Sequence, residues 1–235
     1  YVVSGNYAKP LVLFVHGSPG SLSAFIHFLA DTILLDDALL VTADRPGFGY
    51  SNFGNAEPSL KKQAALLKPI LERYQHNRPI ILVGHSLGGP LISRMAIDYP
   101  ELVDGLIIVA GSIDPELEPN ETWFRAPLAT PFLSWLLPRS IRASNEEIYQ
   151  LKPQLEELLP LWKQIKCPST IIHGTKDSLV PAGNAAFAQR MLVNVPPVVQ
   201  LAEGVDHFIP WSHPELIRAA IVNMLQQPAA VVSGN

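Results

Sequence analysis

The chain is 235 residues long, 48% hydrophobic and 16% charged, with a formal net charge of −4. That length suits one α/β domain with room for an insertion, and a mild negative charge without a basic stripe argues against nucleic acid as a partner. No apolar run reaches the roughly 18 residues of a membrane helix, and Cys167, the single cysteine, excludes an internal disulfide.

The chain begins at Tyr1 rather than Met, which leaves an upstream targeting segment open; a cytoplasmic location is the expectation. The pentapeptide Val-Val-Ser-Gly-Asn occurs at 2–6 and again at 231–235, and nothing in the sequence accounts for it. Apolar runs at 11–15, 39–43, 80–83, 106–109, 170–172 and 198–201 read as strands of a parallel sheet. Each is close to continuously hydrophobic, as strands covered on both faces are. Helical patterns fall between them at 59–74 (with Pro69 inside), 87–99, 182–191 and 214–226. In the last, Ile217, Ala220, Ile221, Met224 and Leu225 share one apolar face.

Between the fourth and fifth runs the alternation breaks. Residues 112–166 are proline-rich and hold Trp123, Trp135 and Trp162, three of the four tryptophans. A structureless loop of that length is uncommon inside a compact domain. The segment therefore reads as a helical cap inserted into a core made of 1–111 and 167–235. Its aromatics Trp123, Phe124, Phe132 and Trp135 are expected against an apolar part of a small-molecule substrate.

Chemistry concentrates at Gly84-His85-Ser86-Leu87-Gly88, directly after the apolar run 80–83. A buried strand running through Gly-x-Ser-x-Gly into a helix describes a sharp turn that lifts the serine hydroxyl above the sheet. Ser86 needs a base, and the base needs an orienting acid. Of the seven histidines, only His207 lies in a short loop just beyond the last apolar run. His213 is the competitor but reads as a helix-start residue. His85 reads as a pocket wall, His173 as locally bonded, His27 and His76 as surface. Asp177, in the loop after 170–172, is the expected acid, and Asp114, after 106–109, is the alternative. Asp206 reads as structural. The oxyanion needs two backbone N–H donors: Leu87, after the nucleophile, and Ser18 in His16-Gly17-Ser18-Pro19-Gly20, a loop that His16 is expected to brace. No His/Cys/Asp cluster has metal-ligand spacing, so neither metal nor other cofactor is expected.

Taken in order, five motifs resemble the α/β-hydrolase superfamily, in particular its small capped serine hydrolases. They are His16-Gly17-Ser18-Pro19-Gly20, Asp44-Arg45-Pro46-Gly47-Phe48-Gly49-Tyr50-Ser51, Gly84-His85-Ser86-Leu87-Gly88-Gly89, His173-Gly174-Thr175-Lys176-Asp177 and Asp206-His207-Phe208. The resemblance implies an α/β-hydrolase fold, a mostly parallel twisted sheet with helices on both faces and a small helical cap. It also implies a catalytic order Ser86, Asp177, His207 and a structural turn at Asp44–Ser51. Families of this fold that open epoxides or remove halides use an aspartate nucleophile, which Ser86 argues against. A serine hydrolase acting on a small ester, thioester or amide is the expectation. A carbon–carbon bond hydrolase, a cofactor-free haloperoxidase and a non-catalytic ligand-binding member stay open as alternatives, as does the oligomeric state.

Overall fold

Strands form where the apolar runs lie. The structure, a computed structural model, describes residues 1–226, apart from the side chain of Pro131; the second copy of the terminal pentapeptide lies outside them. Among the described residues the chain runs β1 Val2–Ser4, β2 Leu11–Val15, β3 Leu39–Ala43, β4 Ile80–His85, β5 Gly105–Val109, β6 Ser169–Gly174 and β7 Val198–Ala202. They build one seven-stranded sheet in the order β1-β3-β2-β4-β5-β6-β7. Only the edge pairing of β1 with β3 is antiparallel. Residues 1–6 thus contribute one short strand, paired Val3 to Val41.

Strand residues alternate between two buried cores. Leu11, Leu13 and Val15 face one of them, Val12 and Phe14 the other, as the two-residue period of a strand requires. The first core is covered by α2 Leu60–Arg73, α3 Gly88–Asp98 and α7 Gly183–Met191. Ser59 caps α2 by accepting from the Lys62 N–H, and the helix continues through Pro69. The second core is covered by a 3₁₀ segment Leu22–Ala30, the short α1 Thr32–Asp37, the one-turn α8 Ile209–Ser212 and α9 Pro214–Gln226. Ile217, Ala220, Ile221 and Met224 of α9 are buried, the face expected from the sequence. The 3₁₀ segment and α1 were not expected; Phe25 and Phe28 stack on Phe14 there.

Between β5 and β6 come α4 Thr122–Ala129, α5 Pro131–Ser134, α6 Arg139–Leu158 and a 3₁₀ turn Leu159–Gln164. The second half of this insertion is not detached from the sheet. Leu151, Leu155, Leu158 and Trp162 join the first core, and Trp162 meets Phe187 edge-on at 5.4 Å. Among the described residues no helix is long and apolar enough to cross a membrane.

The strand order reverses direction at β2. The chain passes from β2 to β3 on one side, then returns to β4 on the other. The carboxyl ends of β2 and β4 therefore open a crevice between diverging connections, the place where open α/β sheets bind ligands.

Candidate active site

Two of the expected motifs meet at that crevice. Ser86 follows β4 with φ +54, a left-handed backbone rare for a residue with a Cβ. Backbone bonds hold it there: the Ser86 N–H donates to Val109 O at 3.0 Å, and Ser86 O accepts from the Gly89 N–H at 2.9 Å. The flanking glycines are required by space. A Cβ on Gly84 would lie 2.4 Å from Gly88 O, and one on Gly88 would lie 2.3 Å from Val15 O. Helix α3 starts immediately afterwards, so its positive dipole end faces whatever sits over Ser86.

The loop after β7 carries His207 and the loop after β6 carries Asp177. Their side chains meet with His207 Nδ1 2.7 Å from Asp177 Oδ2. A carboxylate can only accept, so Nδ1 carries the hydrogen, and in the neutral ring the lone pair is then on Nε2. Asp177 is itself fixed, its Oδ1 accepting from the Leu179 and Val180 N–H groups at 2.9 and 2.8 Å. Burial by itself would raise the Asp177 carboxyl, but hydrogen bonds from His173, His207 and the Val180 N–H outweigh it and hold the carboxyl well below the usual range. His173 Nε2 donates to Val180 O at 2.9 Å, which closes the loop around Asp177.

His85 sits behind His207. Its Nε2 donates to the His207 carbonyl at 2.9 Å. Burial first, and then the neighbouring His207, push the His85 imidazole down to about 4, so it is neutral and serves as a strut. Asp206 accepts from the Phe208 N–H at 2.9 Å and shapes the same loop.

The β2 loop presses against the serine. A Cβ on Gly17 would lie 2.8 Å from Ser86 Cβ and 3.3 Å from its Oγ. His16 braces this loop: Nδ1 donates to Gly17 O at 2.7 Å, while Nε2 accepts from the Arg45 N–H at 3.0 Å. Burial, followed by the Arg45 charge, holds His16 well below its ordinary value, consistent with that neutral tautomer. Among the described residues neither the Ser18 nor the Leu87 amide has a hydrogen-bond acceptor.

A cavity of about 440 Å³ joins these parts, lined by Gly17, Ser18, Ser86, His85 and His207 together with Ser23, Ala24, Leu179, Phe208 and Trp211. Among the described residues the Ser86 hydroxyl has no hydrogen-bond partner, a common state of such sites before substrate closes them. Leu179, Phe208 and Trp211 were missed in the sequence. The signal for them was proximity, since they lie one to four residues from Asp177 or His207.

Two expectations are corrected. Asp114 does not approach His207: its Oδ1 accepts from the Glu116 N–H at 3.0 Å, and its Oδ2 lies 3.6 Å from Arg190. The Asn184 side chain, accepting from the Ile113 and Asp114 N–H groups, ties that loop to α7 instead. Nor do Trp123, Phe124, Phe132 and Trp135 line the cavity over Ser86. Trp123, Phe132 and Trp135 are 80%, 78% and 65% exposed, and Phe124 packs edge-on against Trp123. Prolines cut this stretch into helices so short that α4 buries no residue at all.

Comparison with known proteins agrees with this architecture. The chain is 25% identical to a 2-(acetamidomethylene)succinate hydrolase of Mesorhizobium japonicum over 255 aligned positions, covering 92% of this chain and 88% of that protein. It is 30% identical to epoxide hydrolase 4 of Mus musculus over 111 positions, covering 46% of this chain and only 30% of that protein. A lipase-esterase related protein from Clostridium acetobutylicum superposes with a TM-score of 0.74 at 19% identity, covering 95% of this chain and 98% of the other, a likeness of fold. The family model described as alpha/beta hydrolase fold matches residues 10–133, more than half of the chain, and the protein belongs to that family.

Proposed function

We propose that this protein is a serine hydrolase that cleaves a small ester through an acyl-enzyme on Ser86. The observation that carries the reading is the 2.7 Å contact of His207 Nδ1 with Asp177. That contact leaves Nε2 free in the cavity that Ser86 also lines. His207 Nε2 takes the Ser86 proton as Oγ attacks the ester carbonyl. The Ser18 and Leu87 amides hold the oxyanion. The C–O bond to the alcohol then breaks, and His207 returns its proton to the leaving oxygen. Water, deprotonated by His207, hydrolyses the acyl-enzyme and releases the acid. Asp177 holds the imidazole tautomer and stabilises the imidazolium throughout.

Ala24, Leu179, Phe208 and Trp211 make the cavity wall apolar around this polar centre, which suits an alkyl or aryl ester of modest size. Residues 112–166 act as the cap beside it, in our reading. The serine also separates this protein from epoxide opening, despite the partial match to epoxide hydrolase 4.

Fluorophosphonate labelling read by intact mass tests the proposal. Wild type takes up one equivalent, while Ser86→Ala and His207→Ala take up none. With short p-nitrophenyl esters, Ser86→Ala lowers kcat by about 10⁴-fold or more. A folded wild type that takes no label, and turns over no ester, overturns the assignment in favour of a ligand-binding role.

A further inference from the structure

Arg45 belongs to the Asp44–Ser51 motif, whose sequence suggested only a turn. Its side chain is fully buried, and all five of its guanidinium N–H donors are used. Nε donates to His16 O at 2.8 Å and Nη2 to Gly17 O at 2.9 Å. Nη1 donates to Gln63 Oε1 at 3.0 Å and to Glu147 Oε1 at 2.6 Å, and Nη2 also to Glu147 Oε2 at 3.0 Å. Glu147 lies on α6, in the insertion, and is 1% exposed. Gln63 of α2 donates its Nε2 hydrogen to Glu147 Oε1 at 2.9 Å.

We propose that Arg45 and Glu147 are positioning residues for the oxyanion hole, with the insertion's carboxylate fixing the guanidinium that aims the Ser18 amide. The inference rests on the acyl-enzyme reading above. In a trans peptide the C=O and the following N–H point in opposite directions, and the Gly17–Ser18 bond is trans. Gly17 O is drawn inward onto Arg45 and His16. The Ser18 N–H is thereby turned away from them, on a loop where Gly17 touches Ser86 and Ser18 lines the cavity. A point charge could neutralise Glu147, but only a planar fork can span two successive carbonyls and a carboxylate. Simple stability does not call for such a pair, because apolar side chains commonly replace buried ion pairs without loss.

The decisive variant is Arg45→Lys, which keeps the charge facing Glu147 but cannot reach both carbonyls. Active sites are counted by fluorophosphonate uptake at completion. Then kcat and KM per site, the inhibition constant of a trifluoromethyl ketone and the pH profile are measured. The expected result is a kcat per site lower by roughly tenfold or more with KM within about threefold. Ketone affinity falls by a similar factor, and the acidic limb of the profile stays in place. Glu147→Gln gives the same pattern, and Glu147→Asp recovers part of it. If Arg45→Lys does not fold, Glu147→Asp, which keeps both charges, carries the test against wild type. Variants that melt earlier yet keep wild-type kcat per site and ketone affinity overturn the proposal and leave a structural ion pair. A wild type that takes no fluorophosphonate fails at the acyl-enzyme reading instead.

Discussion

Ser86 holds a left-handed backbone that costs of order 1–3 kcal/mol, and it does so because its neighbours leave no other path. Its amide is bound to β5, its carbonyl to the first turn of α3, and glycines flank it where any side chain would strike backbone. Gly17 extends the same crowding across the crevice. A methyl group there would sit 2.8 Å from Ser86 Cβ. Gly17→Ala is expected to displace the nucleophile and lower kcat on the order of 10²-fold with little change in melting temperature. Turnover per fluorophosphonate-titrated site, measured beside circular-dichroism melting, checks it. Unchanged turnover means the serine can retreat without cost.

At the scale of elements, α6 has a double role. Its first half brings Ser144, Asn145 and Glu147 into the interior, and its second half packs Leu151, Leu155 and Leu158 into the core to which α3 also contributes. Trp162 anchors the end of the insertion, fully buried and edge-on to Phe187 of α7. Trp162→Ala is expected to cost about 3–5 kcal/mol of stability through the cavity it leaves. The urea midpoint should drop accordingly, with a nearly unchanged slope. A loss below about 1 kcal/mol would show that the insertion is only loosely docked. The α4–α5 stretch is the opposite case: Trp123, Phe132 and Trp135 remain exposed, and α4 buries no residue.

For the whole molecule, the interior holds histidines as neutral groups. Burial pushes His85 down to about 4 and puts His16 well below its usual value. Both titrate near 6.5 when unfolded, so between those values the unfolded chain binds more protons than the folded one. Stability is therefore full above about pH 6.5 and declines as pH falls toward 4. A shift from 6.5 to about 4 is worth about 3 kcal/mol for His85 at the acid end. Asp177 is depressed as well, so its contribution is present above the ordinary carboxylate range and declines progressively as pH falls below about 4. Urea midpoints at pH 7.5, 6 and 5 should fall in that order. A flat profile would mean that neither histidine is held neutral.

Periodicity and local chemistry determined strands β2 to β7, the sheet class and helices α2, α3, α7 and α9, because a strand buried on both faces has to read as an apolar run between turns. The 20-residue α6 was not legible, since Pro153 within it reads as a break. They also named Ser86, Asp177 and His207 as candidates, since a nucleophile turn and two loops at strand ends follow from chain order alone. Only the tertiary structure decided which polar groups far apart in sequence meet. Arg45 and Glu147 lie 102 positions apart and form one buried pair; His85 and His207 are joined across 122. Neither pairing leaves a trace in local pattern, because a buried charge is set by what packs around it rather than by its neighbours along the chain. The same reason moved the cavity wall from Trp123, Phe132 and Trp135 to Leu179, Phe208 and Trp211. Hydrophobicity identifies side chains that can leave water, and the packing of the elements chooses which surface they cover.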